Sequence, residues 1–354
     1  VEVGTAGVPT AIKATYGSGH PTIGFLAEYD ALPGLWQERV PHPSGDKARA
    51  GHGCGHNLLG AGSTAAAIAL ARALRAGGRP GTVVLYGTPA EETMLGKNRL
   101  LKDGYLKDVD VMLAWHPYTQ MRCGGVSHNA MNSILFSFHG RTAHAAADPE
   151  NGRSALDALL LAFHGIEILR EHVPDEIRMH YSVTDGGGPA NAVHAHAAAQ
   201  VIARSYDRVM LDGVLERLMK VFEGAALMTE TTCSVERGLD LDNSIPVPEL
   251  NALLMQNAAL VNAPKLAPPR EKTGSTDFGN VCYVLPGACI RVASDGDIPV
   301  PGHSREAAEQ GKSKENHAAI LYAAKILAAT AFDCIRSPET LSAIRAAFCR
   351  QKQR

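Results

Sequence analysis

Residues 81–117 read GTVVLYGTPAEETMLGKNRLLKDGYLKDVDVMLAWHP. The stretch opens on one apolar run, GTVVLYGTP (81–89), and closes on another, VDVMLAWHP (109–117). Between them GKNRLLKDGYLKD is predicted to form a surface helix. Two buried-type strands joined through a helix imply a parallel pair, because a parallel crossover needs a connection of that length. Outward from there, PTIGFLAEY (21–29) is another strand-forming run, and residues 57–76 form a helix that is apolar on nearly all sides. A helix of that kind is buried. Strands alternating with helices predict an α/β domain whose mostly parallel sheet is covered by helices on both faces.

A different rhythm begins near residue 125. NSILFSFHG (132–140), RMHYSVTDGG (178–187), AAAQVIARSY (197–206) and ETTCSVERG (230–238) read as strands. Residues 152–173 and 208–226 read as helices. That order, β-α-β-β-α-β, is the ferredoxin-like α+β module. It predicts a second domain, 125–238, inserted into a first made of 1–124 and 239–354. The closing segment returns to α/β with a helix at 247–261, a strand region at 281–293 and an Ala-rich helix at 315–334.

Composition narrows the function classes. A chain of 354 residues exceeds the usual size of one core, which fits two domains. The formal charge is −2 and no long basic run occurs, so nucleic acid and anionic membrane surfaces are not expected as partners. Seven scattered cysteines without a CxxC pair predict free thiols in a reducing compartment, the cytoplasm. No uninterrupted apolar run of about 20 residues is evident. The opening VEVGTAGVPTAIKATYG lacks a start methionine and reads as the middle of a domain.

In open α/β sheets, ligands sit at the carboxyl ends of the parallel strands. Asp30 and the loop AGHGCGHNLLGAG (50–62), with Cys54 and His56, follow the strand at 21–29. PAEE, with Glu91 and Glu92, follows the second strand, and His116 of WHP ends the third. Thiolate, imidazole and carboxylate at three strand ends suit a divalent, borderline-soft ion such as zinc. Adjacent glutamates suit it too: one can ligate while the other stays free as a general base. Each piece has a plainer explanation. HxCxH can be a structural thiol with two loop histidines, paired glutamates are usually solvated, and a lone histidine often ends a strand. Their coincidence on consecutive strand ends favours the metal site.

AEYDALPG, GHGCGHNLLG, YGTPAEE, AWHP, GRTAHAAADPENGRSALDA, EGAALMTETT and GSTDFGNV occur in the order found in the M20 metallopeptidases. The chain resembles that family from residue 20 on, and more narrowly its branch of aminobenzoyl-glutamate and dipeptide amidohydrolases. The resemblance implies a zinc-hydrolase-type α/β domain interrupted by a ferredoxin-like lid through which the protein forms a homodimer. It also implies hydrolysis of an amide bond in an N-acyl amino acid, an aminobenzoyl-glutamate-like compound or a dipeptide. Two divalent ions are implied, Zn²⁺ first, with Mn²⁺ or Co²⁺ as alternatives. Cys54 would bridge them, with His56, Glu92, His116 and, in PVPGHSREA, His303 as further ligands. Glu91 would be the general base, and Asp30 would orient a ligand imidazole. His144 would stabilise the oxyanion in the partner subunit's active site, Asn191 would bind substrate, and Arg204 its carboxylate. Asp277 of GSTDFG carries no assigned role, and His52 and Cys123 are read as structural.

Two other readings stay open at this level. Cys54 could be a nucleophile activated by His56 or His52, in which case alkylation would inactivate and chelation would not. The chain could also be a non-catalytic metal-binding homologue.

Overall fold

The computed structural model describes residues 1–38, 45–296 and 300–353. They divide into two compact units, Val1–Ser127 with Ser244–Arg354, and His128–Asn243. The first unit begins with β1 (Glu2–Val3), β2 (Ile12–Ser18), β3 (Thr22–Glu28), α1 (His56–Gly77), β4 (Gly81–Thr88), α2 (Gly96–Lys102), β5 (Val111–Tyr118) and β6 (Arg122–Cys123). The second unit contains β7 (Ala130–His139), α3 (Ala155–Arg170), β8 (Arg178–Asp185), β9 (His196–Ser205), α4 (Arg208–Met228) and β10 (Thr232–Leu241). The chain then returns to the first with α5 (Pro248–Leu260), α6 (Phe278–Val284), β11 (Gly287–Ala293), α7 (Arg305–Gln310), α8 (Lys314–Arg336) and α9 (Pro338–Lys352).

The sheet of the first unit runs β1-β2-β4-β3-β5-β11-β6. Its centre, β4-β3-β5-β11, is parallel, and its rims pair antiparallel. Side chains that alternate along a strand feed two cores. Ile23, Phe25, Val111, Leu113 and Trp115 pack with α1, α5, α8 and α9 on one face. Leu26, Met112 and Ala114 pack with Leu100, Phe278 and Val281 on the other. This is why the central strands read as continuous apolar runs.

Three departures from the sequence reading have local causes. The region 281–293 is not all strand: Phe278–Val284 is α6, and β11 starts at Gly287. Phe278, Val281 and Cys282 share one apolar helical face, and a run that short does not separate helix from strand by periodicity. The helix at 96–102 is not confined to the surface, since Lys97 and Leu100 are fully buried. The segment 12–18 adds an antiparallel strand beside β4. In addition, α1 and α8 are long and apolar enough to cross a membrane by length and composition. Both carry buried residues of the main core.

The sheet of the second unit has the order β10-β7-β9-β8 and is antiparallel throughout. Its core joins inward residues of the strands to α3 and α4, with the Phe136 and Phe222 rings stacked at 4.1 Å. The unit reaches Asn243, beyond residue 238, because β10 continues to Leu241.

Candidate metal centre

The loop after residue 50 answers to its glycines. Gly55 has φ 74° and caps α1, and a Cβ there would meet Pro117 Cγ at 2.5 Å. A Cβ on Gly53 would lie 2.5 Å from Leu35 Cδ1 and 3.0 Å from the Ser304 carbonyl oxygen. With no side chain at either glycine, the loop wedges between the end of β5 and the segment carrying His303, whose amide donates to the Gly53 carbonyl at 2.9 Å. Cys54 and His56 are thereby set beside residues from three other stretches of chain.

Two donor sets result. Ligand atoms of Cys54, His56 and His116 lie within 4.8 Å of one another, as do those of Cys54, Glu92 and His303. Cys54 belongs to both. Its Sγ is 3.3 Å from His116 Nε2, and His303 Nε2 is 3.6 Å from Glu92 Oε2. Asp30 joins the two loops: Oδ1 lies 2.9 Å from His56 Nδ1, and Oδ2 accepts the Glu92 amide at 2.9 Å. Burial opposes ionisation of Asp30, but these two hydrogen bonds hold its carboxyl below the usual range.

The donor set fits a cation. Among the described residues His56 Nε2 and Glu92 Oε1 are buried and lack hydrogen-bond partners, and such atoms are costly unless something else engages them. His56 Nε2 faces Glu28 Oε2 at 3.3 Å. Burial alone would push the His56 imidazole down, yet Asp30, Cys54 and Glu28 lift it to about 11. Positive charge is therefore favoured on this ring, and a metal ion can replace the proton. His116 is the reverse case. Burial, with the charge of Arg291, pushes it down to about 3. Its Nδ1 sits 2.8 Å from the Pro117 carbonyl, which takes the N–H and leaves the Nε2 lone pair toward Cys54.

Glu91 sits beside both donor sets without completing either. Ala90 before it takes the left-handed conformation, φ 63°, and turns the chain sharply at PAEE. That conformation costs an L-residue about 1–2 kcal/mol. Glu91 Oε1 accepts from Thr276 Oγ1 at 2.9 Å. Its carboxylate groups with His56 and Glu92 on one side and with Glu28 and Asp277 on the other. Burial, reinforced by the Glu28 charge, pushes it up to about 7.

Behind Glu91 lies a buried ion cluster that the motifs do not disclose. Lys97 Nζ is 2.7 Å from Glu28 Oε1 and 2.6 Å from Asp277 Oδ1, and all three side chains are buried. Burial raises the Asp277 carboxyl; at Glu28 burial also opposes ionisation, but Lys97, His56 and His116 bring it below its usual value. The available signals were a glutamate ending an otherwise apolar strand and a lysine on the inward face of α2. Asp277 thus has a structural partner. His52 lines the same cavity as Cys54 and His116, while the Cys123 thiol donates to Asn251 Oδ1 at 3.2 Å.

The remaining candidates lie in the second unit. The His144 and Asn191 loops are adjacent: the Ala145 amide donates to the Asn191 carbonyl at 3.1 Å, and His144 bridges Ala192. His144 Nδ1 accepts from the Ala146 and Ala147 amides at 3.2 and 3.1 Å, which leaves the ring proton on Nε2. Arg204 is half-buried near the far end of β9, opposite Met131 and Arg178. From His196 to Arg204 is eight residues, roughly 26 Å at the usual strand rise. One copy of this unit does not bring Arg204 and the His144–Asn191 loops together.

Comparison with known proteins places this geometry in context. A family profile described as Peptidase family M20/M25/M40 matches residues 24–331. The chain is 34% identical to one of the subunits of p-aminobenzoyl-glutamate hydrolase of Escherichia coli (strain K12), covering 91% of this chain and 79% of that protein. It is 31% identical to the Xaa-Arg dipeptidase of Mus musculus, over 97% of this chain and 78% of that one. Among solved structures it is similar to the Bacillus subtilis YXEP protein, a dinuclear metal binding peptidase from the M20 family. There the TM-score is 0.67 at 20% identity, covering 93% and 86% of the two chains.

Proposed function

The chain belongs to peptidase family M20/M25/M40 and is a metal-dependent hydrolase of amide bonds, and from that premise we propose that Cys54, His56, Glu92, His116 and His303 hold two divalent cations. The observation that carries this reading is the pair of donor sets sharing Cys54 Sγ, with Glu92 Oε1, buried and without a hydrogen-bond partner among the described residues, in one of them. Mixed sulfur, nitrogen and oxygen donors suit Zn²⁺, with Mn²⁺ and Co²⁺ as the alternatives to compare. The substrate class is an N-acyl amino acid, an aminobenzoyl-glutamate-like compound or a dipeptide, in keeping with the named activities of the relatives.

Bound there, the cations would supply Lewis acidity to the amide carbonyl and to an attacking water. The protein's residues do the rest. Asp30 fixes the His56 ring through Nδ1 and holds the Glu92 loop through its amide. Glu91, steadied by Thr276, takes the proton of the attacking water on its carboxylate and passes it to the leaving nitrogen. His144, with its proton on Nε2, is a donor for the oxyanion, and Asn191 and Arg204 bind substrate. The separation along β9 supports a division of these three between two protomers. In that homodimer the second unit pairs through its edge strand β8, where Val183 is exposed; a monomer by sedimentation equilibrium would remove this part of the reading.

The decisive experiment is metal depletion and add-back. After chelation, hydrolysis of N-acyl amino acids, aminobenzoyl-glutamate and dipeptides is expected to vanish, and Zn²⁺, Mn²⁺ or Co²⁺ should restore it. Hydrolysis that survives full metal removal but is abolished by iodoacetamide would transfer the reaction to Cys54. Metal uptake without hydrolysis of any of these amides would leave a binding protein.

A further inference from the structure

We propose that Arg122, Arg270 and Arg291, gathered around Tyr118 beside the metal centre, form a subsite for a second substrate carboxylate, so that the preferred substrates are N-acyl derivatives of dicarboxylic amino acids. The proposal rests on the hydrolase reading above and names the substrate class for it.

The placement follows from the sheet register. On β11, Arg291 is the Cα partner of His116 on β5 and of Arg122 on β6. Residues in such a row project to the same face of a sheet, with neighbouring strands about 4.8 Å apart. The row therefore begins at a metal-donor histidine and continues through two arginines. Tyr118, two residues beyond His116, lies on that face as well. The Arg122 and Arg270 guanidinium carbons stand 5.9 and 5.3 Å from its ring centroid. Arg270 comes from a separate segment, held by a bridge to Gly125.

A cavity of about 290 Å³ is lined by Cys54, His116 and His303 and also by Tyr118, Arg270 and Arg291. Asp295 is the one carboxylate among its described lining residues. None of the three arginines is ion-paired with a carboxylate among the described residues, and Arg122 Nε is buried without a hydrogen-bond partner. Burial and the charges of Arg291 and Arg122 lower the proton affinity of Arg270. Guanidinium groups packed together without counter-ions are unfavourable until an anion arrives. Each presents the planar fork that pairs with a carboxylate. Two guanidiniums, Arg270 and Arg291, line the cavity against one aspartate, with Arg122 next to Arg291 in the row behind them, which leaves charge for a substrate carboxylate. The same field repels a lysine or arginine side chain on the substrate.

The test compares N-benzoyl-glutamate, N-benzoyl-glutamine and N-benzoyl-lysine on the metal-loaded protein and its Arg291→Gln and Arg270→Gln variants. A hydrogen-bonded charge pair contributes about 1.5–3 kcal/mol, so the wild type should prefer glutamate over glutamine by roughly 10–100-fold in kcat/KM, with lysine poorest. The preference should fall toward one in each variant, mostly through KM. Calorimetric titration with glutarate reads the subsite without turnover, and binding should weaken at least about tenfold in the same variants. Arg291→Lys, which keeps the charge, should retain part of the preference, and it carries the test if the glutamine variants fail to fold. Arginine-dependent glutarate binding without hydrolysis of any substrate would overturn the hydrolase reading and leave the subsite standing. Equal handling of glutamate and glutamine by the wild type, or equal glutarate binding in all variants, would overturn the subsite.

Discussion

Glu91→Gln is expected to lose about 10²–10⁴-fold in kcat, the usual contribution of a positioned general base, while binding metal as the wild type does. The prediction comes from where Glu91 stands. It groups with His56 and Glu92 but lies outside both donor sets that share Cys54, so removing its charge should not empty the metal centre. Glutamine has the same size and can still accept the Thr276 hydroxyl, which holds Oε1 at 2.9 Å. The amide cannot take up the water proton. Glu92→Gln should behave differently, weakening metal binding itself, because Glu92 Oε1 is buried without a hydrogen-bond partner among the described residues. Metal analysis beside single-turnover rates separates the two variants. A Glu91→Gln protein within tenfold of wild type would end the general-base assignment, whatever its metal content.

The strand ends were legible because burial on both faces makes parallel strands read as apolar runs, and the polar residues that follow such runs stand out. Asp30, Cys54, His56, Glu91, Glu92 and His116 were found that way. His303 was not, because its approach depends on Gly53 accepting a backbone contact from a segment some 250 residues away in the chain. No local periodicity encodes that. The arginine row was hidden for a related reason: Arg122, Arg270 and Arg291 become neighbours only through strand register and a long-range bridge. Arg204 illustrates the limit of motif transfer. The motif supplies the residue, but one copy of the second unit holds it far along β9 from the loops it was expected to work with.

Lys97→Met should be the most destabilising single change at this site, by about 3–5 kcal/mol, because it leaves two buried carboxylates without their counter-charge. Lys97 Nζ touches both Glu28 and Asp277, and its own amide donates to Asp277 Oδ2 at 3.3 Å. Methionine fills much of the same volume, so the loss is electrostatic rather than a cavity. In urea the midpoint should fall with the slope unchanged, as expected when the native state alone is weakened. The double variant Lys97→Met, Asp277→Asn should recover part of the loss, because it neutralises one of the stranded carboxylates. Positive coupling between the two sites in that cycle is the signature of direct pairing. The functional consequence runs through Glu28, whose other oxygen faces His56 Nε2 at 3.3 Å. Released from Lys97, Glu28 would compete for the cation side of His56, so weaker or altered metal binding should accompany the lost stability. A Lys97→Met protein less than about 1 kcal/mol weaker than wild type would mean that the buried carboxylates take up protons at little cost, and that the cluster does not hold Glu91 and the candidate metal donors in register.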